Sequence, residues 1–406
     1  MSRLDELIAE LCPNGVIYKR FDEACTLHAR IGWQRLTKGE HKVTGDYMLI
    51  TGTDFTSSNE VNYKSCVYVS KDRYVQDPKI QIKDGDVLIT KDGTLGKVAQ
   101  VNNLPMPATL NGGVFVVRPK DESLLPRYVM HFLLSGHFQK VVEQQKTGST
   151  ISHLTQALFS RLLLPVPPLE VQREIVRILD SFTLLTAELT AELTARKKQY
   201  EFYRRELLTF DESIPQFQLR DIASFRNGKG HEKNIANNGK YIVINSKFIS
   251  TNGQIVKNSD EQLSPLYTDD IAMVMSDLPN GRALAKCYLI DTDDKFTLNQ
   301  RIGGFHTLDE NKVVTKYLFY ILDRNWQLLK YDNGVDQTNL KKDDILNISI
   351  PVPAIDVQKR LVYVLDNFEA ICTDLNIGLP AEIEARQKQY EYYRDKLLSF
   401  QVKSYD

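Results

Sequence analysis

The sequence has no apolar run long enough to cross a membrane and no excess of charge of either sign. A helix that spans a membrane needs about 20 consecutive apolar residues, so we expect the chain not to associate with a membrane. The 406 residues carry 51 Lys and Arg against 52 Asp and Glu, which gives a formal net charge of −1. Net charge therefore gives no indication of nucleic-acid binding, although basic side chains gathered on one face would still support it.

Cysteine is scarce and scattered along the chain. The cysteines are odd in number and form no C-x-x-C pair, which argues against both a disulfide framework and a zinc site. We therefore expect no metal site, and reduced thiols in a cytoplasmic protein at Cys12, Cys25, Cys66, Cys287 and Cys372.

The common catalytic motifs are also missing from the sequence. It has no G-x-x-x-x-G-K-[ST] phosphate loop, no H-E-x-x-H metal motif and no Asn/Asp-Pro-Pro-aromatic motif of amino-methyltransferases. We therefore predict that the chain is not an enzyme, has no catalytic residues and binds no cofactor itself.

One long helix is predicted after the prolines at 165, 167 and 168, since proline is tolerated at a helix start. The apolar residues that follow recur in steps of three and four, the heptad pattern of a helix with a narrow apolar seam. At about 1.5 Å per residue such a helix would be roughly 60 Å long and would need a partner. The seam residues are Leu179, Phe182, Leu189, Leu193, Tyr200, Tyr203 and Leu207.

The same sequence returns near the end of the chain. Pro351-Val352-Pro353 repeats the first proline cluster, and RQKQY at 386–390 repeats RKKQY at 196–200. The second copy contains extra residues that include Gly378 and Pro380, which predict a kink or break. We expect some residues of each seam to pack helix on helix and others to face other subunits. The seam residues of the second copy are Leu365, Phe368, Tyr390, Tyr393 and Leu397.

A globule rich in short strands precedes each helical copy, and the two globules are diverged repeats. Thr109-Leu110-Asn111 matches Thr297-Leu298-Asn299, and Gly45–Ile50 matches Gly239–Ile244. A short N-terminal helix resembles the tails of the long helices, so the chain ends are expected to meet. The predicted domains are a first globule at 1–163, a spacer at 164–210, a second globule at 211–349 and a distal spacer at 350–406.

These cassettes resemble the conserved regions of type I restriction–modification specificity subunits. The segments that carry the resemblance are PLEVQREIVRIL, RKKQYEFYRRELL, IDVQKRLVYVL and RQKQYEYYRDKLL, with LCPNGV, GDVLITKDGTLGK and GSTISHL in the first globule. The resemblance implies an α+β fold, in which two mixed α/β target-recognition globules are separated by two long antiparallel, coiled-coil-like helical spacers with pseudo-two-fold symmetry. One loop departs from the family pattern, because GTLGK at 93–97 is replaced by LPNGR at 278–282.

The resemblance also implies partners. Each globule would read one half of a split site in double-stranded DNA, and the spacers would dock two DNA methyltransferase (modification) subunits. Whether two restriction (translocase) subunits also join the complex is left open. S-adenosylmethionine would belong to the modification subunits, and ATP and magnesium to the motor subunits.

DNA-contacting residues are expected in the loops between the repeated anchors. Arg can bond guanine through two hydrogen bonds, Asn and Gln can do so with adenine, and Lys mostly contacts phosphates. The candidates in the first globule are Arg30, Trp33, Gln34, Arg35, Lys38, Lys91, Thr94, Lys97, Lys146 and Ser149. Those in the second are Arg226, Asn227, Lys229, His231, Lys233, Asn280, Arg282, Asn299, Arg301, Gln337 and Asn339.

Two alternatives stay open at this point. One is the specificity subunit of a stand-alone or fused methyltransferase–nuclease system. The other is a coiled-coil scaffold whose globules bind protein, which would show no salt-sensitive DNA affinity.

The tandem TAEL units at 186–193 predict a spacing device. One added unit lengthens a helix by about 6 Å and turns it by roughly 40° beyond a full turn. We predict that inserting or deleting one TAEL changes the number of unspecified bases between the two half-sites and leaves both half-sites unchanged. Mapping the methylated sites of such variants checks this, and an unchanged gap would contradict it.

Overall fold

A computed structural model describes residues 2–32, 36–146, 153–159, 161–231, 233–278, 283–374 and 376–403. The chain divides into two compact units. Unit 1 consists of Met1–Leu193 and Leu379–Asp406, and unit 2 of Thr194–Gly378. None of the described helices is long and apolar enough to span a membrane.

The first globule lies in unit 1 and begins with a short helix capped by Ser2, as predicted. Its helices are α1 (Arg3–Leu11), α2 (Phe21–Ala24), α3 (Lys71–Val75), α4 (Pro126–Leu134), α5 (Gly136–Lys146) and α6 (Gln156–Phe159). Its strands are β1 (Ile17–Arg20), β2 (Cys25–His28), β3 (Tyr47–Ile50), β4 (Val67–Val69), β5 (Val87–Thr90), β6 (Val98–Gln100), β7 (Ala108–Leu110), β8 (Val114–Pro119) and β9 (Leu163–Val166).

An antiparallel sheet of order β2-β8-β5-β6 forms the middle layer of this globule. Successive side chains of its strands point to opposite faces, so they enter two different cores. Val87 and Ile89 enter one core together with α4. Leu88 enters a second core against a smaller sheet of order β4-β3-β7, in which β3 and β7 are parallel.

The predicted long helix is present as α7 (Leu169–Leu207), a continuous helix of 39 residues. Its first part belongs to unit 1 and its last part to unit 2. The proline-rich segment before it forms strand β9, which pairs antiparallel with β1. Neither of these strands was predicted from the sequence.

The second globule lies in unit 2. Its strands are β10 (Gln216–Gln218), β11 (Ala223–Asn227), β12 (Tyr241–Ile244), β13 (Asn258–Ser259), β14 (Ile271–Val274), β15 (Ser276–Asp277), β16 (Cys287–Leu289), β17 (Phe296–Leu298), β18 (Ile302–Thr307), β19 (Thr338–Asn339) and β20 (Ser349–Pro351). Its helices are α8 (Leu219–Ile222), α9 (Ser246–Ser250), α10 (Thr315–Leu322), α11 (Trp326–Leu329) and α12 (Lys342–Leu346).

The second globule repeats the topology of the first. Its sheets have the orders β11-β18-β14-β16 and β13-β12-β17, and β10 pairs with β20 as β1 pairs with β9. The anchors found in the sequence pair with each other in both copies. Leu49 lies opposite Thr109, and Val243 lies opposite Thr297, each across a parallel strand pair. The two globules are therefore structural repeats.

The distal helical copy is interrupted, as predicted from Gly378 and Pro380. It forms α13 (Ile355–Thr373) and α14 (Leu379–Leu397). A Cβ on Gly378 would lie 2.6 Å from the carbonyl oxygens of Ala370 and Asp374, so the turn that follows α13 requires glycine. Helix α13 belongs to unit 2 and α14 to unit 1.

A buried glutamine fastens the start of each spacer helix to its globule. The Gln172 amide accepts a hydrogen bond from the Leu125 N–H (2.9 Å) and donates to the carbonyls of Ser123 and Pro167 (both 2.7 Å). Gln358 of α13 makes the same three bonds, to Val314, Lys312 and Pro353, at 2.8–2.9 Å. Both glutamines are fully buried, so these bonds satisfy side-chain amides that water cannot reach.

A carboxylate two turns further along each helix makes a second contact. In unit 1, Asp180 bonds Arg127 (2.9 Å) and His131 (2.8 Å) of α4, and His131 also contacts the Tyr390 hydroxyl of α14 at 3.1 Å. In unit 2, Asp366 bonds Lys316 and Tyr320 of α10. The buried imidazole of unit 1 is thus replaced by a phenol in unit 2.

The apolar seam is only partly a helix–helix contact. Ring pairs join Phe182 to Tyr393 in unit 1, at 5.5 Å, and Tyr203 to Phe368 in unit 2, at 5.8 Å. The side chains of five other seam residues are half-buried, namely Leu189, Leu193, Tyr200, Leu207 and Leu397. The remaining three, Leu179, Leu365 and Tyr390, are buried, and Leu179 and Tyr390 belong to the core of the first globule. The interpretation of Leu179 and Tyr390 as spacer or subunit interface is corrected, because the helices use them to bind the first globule.

The segments near the two chain ends meet in unit 1, as expected. The Val16 N–H donates to the Gln401 carbonyl (2.8 Å), and the Lys403 N–H donates to the Val16 carbonyl (3.0 Å). The Tyr18 hydroxyl donates to the Phe400 carbonyl at 2.9 Å. The tail after α14 thereby reaches strand β1, as the tail after α7 reaches β10 within unit 2.

Burial lowers the pKa of His131, although its hydrogen bond to Asp180 opposes this. The native imidazole is therefore neutral at a pH where the unfolded one, with an ordinary pKa of 6.5, takes up a proton. The unfolded state then binds more protons, so stability is lost as pH falls below about 6.5. Asp180, Tyr390, Arg127 and Arg394 also face this ring and are unchanged in the test.

We predict that the unfolding free energy of unit 1 falls less between pH 6.5 and 5 in His131→Tyr than in wild type. The variant carries the phenol that unit 2 has at this position, and it has no buried imidazole. Chemical unfolding across this range is the measurement. The exposed His137→Tyr serves as control and should leave the slope unchanged. An equal slope in wild type and His131→Tyr would disprove the prediction.

Candidate nucleic-acid interface

The loops of the first globule converge at one edge, which we call edge 1. Strands β3 and β7 are parallel and end together at Ile50 and Leu110. The chain then turns into β8, whose first residue lies opposite Thr90 at the end of β5. Edge 1 thus consists of the loops at 29–32, 51–52, 91–97 and 111–113, held by strands that are buried on both faces.

Three predicted contact residues lie together in the β5–β6 loop of edge 1. Thr94 and Lys97 are exposed, whereas the Lys91 ammonium lies 3.2 Å from an Asp92 carboxylate oxygen and 5.7 Å from the centre of the Phe115 ring. Lys91 is therefore held in place, and Lys97 is free to reach a ligand.

Edge 2 is the equivalent surface of the second globule, formed where β12, β14 and β17 end and where β16 and β18 begin. It is rich in amides and carries more of the predicted residues than edge 1. Strand β19 adds a segment at 338–339, paired with β15. The predicted residues gathered here are Asn227, Lys229, Asn299, Arg301, Gln337 and Asn339.

The same backbone hydrogen bonds shape both edges. The N–H of Lys91 donates to the Gly113 carbonyl (2.8 Å), and the N–H of Met275 donates to the Arg301 carbonyl (3.0 Å). Both Asn111 and Asn299 donate their N–H to the last residue of the neighbouring parallel strand at 3.0 Å. The scaffold is therefore conserved between the two repeats while the side chains differ. Where edge 1 has Lys and Gly, edge 2 has Met and Arg.

The prediction that Arg30 and His231 contact DNA is wrong for this structure, because both side chains are buried. Arg30 is 3% exposed and donates to the Leu110 carbonyl (3.0 Å) and the Thr109 hydroxyl (3.2 Å). His231 is fully buried and lies 3.0 Å from the hydroxyl of Thr297, the counterpart of Thr109. Each side chain thus holds the loop after its strand onto the small sheet.

Arg226 is also engaged within its globule. It pairs with the fully buried Asp270, which His306 contacts at 3.0 Å, and it donates to the Pro265 carbonyl at 3.0 Å. In the first globule Arg118 pairs with Asp86 in the corresponding place, at 2.6 Å. These bonds hold the Arg226 side chain against its globule, and its contact with DNA stays a prediction because the side chain is partly exposed.

Two predicted lysines are exposed but lie away from the edges. Lys38 precedes a segment that bridges β4 through Lys42 and Tyr68. Lys233 lies next to the bridge from Ile235 to Ser259 at the start of β12, the end opposite edge 2. The predictions that fall outside the described residues, or outside the described side chains, are Trp33, Gln34, Arg35, Lys146, Ser149, Asn280 and Arg282.

Sequence reasoning missed the carboxylates that organise the edge loops. Asp92 pairs with both Lys91 and His153 at edge 1. At edge 2 the Asp277 carboxylate accepts the N–H groups of Leu278 (2.9 Å) and Ala283 (2.7 Å). The available signal was a short acidic residue two or three residues after the end of a buried strand, where such side chains stabilise turns. Within the described parts of the chain, His, Cys, Asp and Glu form no group that could hold a metal ion.

The buried position of Arg30 gives a stability test. Burial lowers the pKa of its guanidinium, which nevertheless stays charged. Arg30→Met would remove the hydrogen bonds that the guanidinium donates to the Leu110 carbonyl and the Thr109 hydroxyl, so we predict a loss of about 2–4 kcal/mol in unfolding free energy. Chemical unfolding checks this against Lys97→Met at the exposed edge, which should change stability by less than about 0.5 kcal/mol. Equal effects of both substitutions would refute the assignment.

The chain matches the family model for the type I restriction modification DNA specificity domain twice, at residues 20–196 and 212–385. The two matches correspond to the two structural repeats. They also decide against the coiled-coil scaffold alternative.

Curated relatives agree with the family match. The chain is 34% identical over 305 residues to the EcoR124I/EcoR124II specificity subunit of Escherichia coli, covering 69% of this chain and 72% of the relative. It is 32% identical over 335 residues to a putative type I restriction enzyme specificity subunit of Haemophilus influenzae, covering 77% and 82%.

Solved structures show the same fold. A chain from a study of complex assembly and conformational transition of the type I R-M system aligns with a TM-score of 0.65 at 15% identity, covering 95% of this chain and 98% of that one. The HsdS subunit from Thermoanaerobacter tengcongensis aligns with a TM-score of 0.51 at 16% identity, covering 96% and 97%. The chain therefore belongs to the type I restriction–modification specificity family, and it is a non-catalytic DNA-specificity subunit with two copies of the specificity domain.

Proposed function

We propose that the chain reads a split target in double-stranded DNA, with edge 1 on one half-site and edge 2 on the other. The observation that carries this proposal is the repeated backbone of the two edges, which present different exposed cations and amides. A conserved scaffold with changed loop side chains is what two readers of different sequences require.

The composition of the edges supports base reading at edge 2. Arg301 and Asn299 are separated by a single residue in the turn between β17 and β18, and Gln337 donates to the Ser276 hydroxyl at 2.8 Å. Arg, Asn and Gln are the side chains that make paired hydrogen bonds to purine edges in the major groove. The lysines of edge 1 and Lys229 of edge 2 suit phosphate contacts, which fix position rather than sequence.

The spacer helices are proposed to dock two modification subunits. They expose aromatic side chains that their own units leave uncovered, including Phe202 (50%), Tyr363 (70%) and Tyr392 (62%). Aromatic residues are enriched at protein–protein interfaces, where the ring is buried and the hydroxyl finds a partner. S-adenosylmethionine is assigned to these modification subunits, and ATP and magnesium to any restriction subunits that join. The chain itself is proposed to bind none of them.

Co-expression with the modification subunit of the same system, followed by genome-wide mapping of methylated adenines, tests this function. The expected result is a split motif with two short defined blocks separated by a fixed number of unspecified bases. A single uninterrupted motif would contradict two separate readers, and absence of methylation from a stable complex would contradict target reading.

Arg301 allows a sharper prediction. Arg301→Ala should relax one position of one half-site, with a loss of about 1–3 kcal/mol of discrimination, because a paired contact to a base edge disappears. The other half-site and the gap should stay as in wild type. Lys233→Ala, an exposed cation away from edge 2, is the matched control and should leave the motif unchanged. Methylation mapping of both variants gives the answer, and an unrelaxed motif in Arg301→Ala would exclude this residue as a base reader.

A further inference from the structure

The residues just before Leu154 and Leu340 lie at equivalent places of the two edges. The Leu154 N–H donates to the Lys91 carbonyl at 3.0 Å, and the Leu340 N–H donates to the Met275 carbonyl at 2.8 Å. Lys91 and Met275 are themselves equivalent, because each follows a buried strand and makes the same backbone bond across its edge. The residues that precede the two leucines are His153 at edge 1 and Asn339 at edge 2.

The second residue after each buried strand holds a side chain of this returning segment. At edge 2, Ser276 lies opposite Asn339 in the β15–β19 pair, and its hydroxyl accepts a hydrogen bond from the Gln337 amide at 2.8 Å. At edge 1 the counterpart of Ser276 is Asp92, and its carboxylate lies 2.5 Å from Nδ1 of His153. Gln337 and Asn339 are predicted DNA contacts, whereas His153 is not among the predicted residues. The repeat nevertheless places it at the same point of the edge.

The contact with Asp92 determines which nitrogen of His153 is left for a ligand. A carboxylate accepts hydrogen bonds, so the Nδ1 nitrogen of the ring carries a proton and donates it to Asp92. The His153 side chain is 53% exposed, and Nε2 is the nitrogen that remains for an outside partner. Nε2 donates when the ring is a cation and accepts when the ring is neutral.

The charges at edge 1 and on DNA favour the cationic ring in a complex. The charged groups around His153 in the described part of the β5–β6 loop are Asp92 and Lys91, whose ammonium lies 3.2 Å from the other Asp92 oxygen. Lys91 opposes a second cation, whereas the adjacent carboxylate stabilises it. DNA adds the negative charge of its phosphates, and its phosphate oxygens and guanine N7 and O6 atoms are acceptors. An acceptor needs a donor, which at Nε2 requires the imidazolium.

We propose that His153 is a further DNA-contacting residue of edge 1, and that its imidazolium donates from Nε2 to an acceptor atom of the DNA. Asp92 is the positioning residue that orients the ring. This inference rests on the proposed function of edge 1. A guanine edge and a phosphate oxygen offer the same acceptor chemistry, and duplexes of different sequence distinguish them. Because the bound state takes up a proton, affinity for DNA falls as pH rises.

The test measures DNA affinity against pH for the full-length chain in complex with its modification subunit. Fluorescence anisotropy is recorded at pH 6, 7 and 8 at constant ionic strength, since phosphate contacts make affinity salt-dependent. The duplexes are the mapped target and two versions in which one or the other half-site is scrambled. His153→Gln keeps an amide donor but cannot titrate. His137→Gln, at an exposed histidine of α5, is the matched control.

The affinity of the wild-type complex for its target is expected to fall about fivefold between pH 6 and 8, because one proton is bound with the DNA. His153→Gln should change by less than about twofold over this range, since its amide has no charge to lose. His137→Gln should keep the wild-type slope. Asp92→Asn should weaken binding at pH 6 and reduce the slope, because the imidazolium loses the carboxylate that stabilises it.

The scrambled duplexes identify the acceptor. If Nε2 donates to a guanine, the difference in slope between wild type and His153→Gln disappears on the duplex whose edge 1 half-site is scrambled. If it donates to a phosphate, that difference is the same on all three duplexes, because phosphates do not depend on sequence. Either pattern supports the contact.

Two outcomes would overturn the inference and leave the proposed function intact. One is an equal slope in wild type and His153→Gln, and the other is a wild-type affinity for the target that rises with pH. Failure of the proposed function has a different signature, in which the wild-type complex binds all three duplexes equally. The comparison with His153→Gln then still decides whether the ring contacts a phosphate. Absence of DNA binding by the wild-type complex would overturn both.

Discussion

The attachment of each globule to a long helix depends on one buried side-chain amide. Gln172 and Gln358, both fully buried, each pair with one backbone N–H and two backbone carbonyls, a combination that requires a donor and an acceptor in one side chain. Because these bonds fix how the helix is rotated, Asp180 and Asp366, two turns later, meet the helix that backs the sheet of the same unit. The layers behind each edge are held in place through this contact.

Such a rigid support explains how the edges can change without loss of the fold. The buried strands and the N–H donors at the ends of β5 and β14 define the same loop framework in both copies. Even the buried anchors behind the loops differ chemically, since Arg30 and His231 contact equivalent threonines. The frame therefore tolerates substitution wherever the hydrogen-bonding requirement of a buried group is still satisfied.

The sequence allowed the helices and the repeat to be predicted, but not the depth of individual side chains. Heptad spacing identified α7, and glycine and proline identified the break before α14, because these signals are local. The short pair β1–β9 carried no such signal, since its partners are far apart in sequence and only four residues long. Arg30 was misassigned for the same reason. Its acceptors at Thr109 and Leu110 lie about 80 residues away, and the local sequence looks like an exposed basic loop.

Duplication also explains why the two units are not equivalent. It reproduces the start of each spacer helix together with its glutamine and the carboxylate two turns later. The apolar residues beside the glutamine are not buried alike, since Val171 and Ile175 of α7 are fully buried, whereas Val357 of α13 is 40% exposed and Leu361 is half-buried. The repeat therefore preserves the polar contacts that fasten each helix to its globule, because a buried amide without its partners is costly, while the depth of the neighbouring apolar residues is free to change.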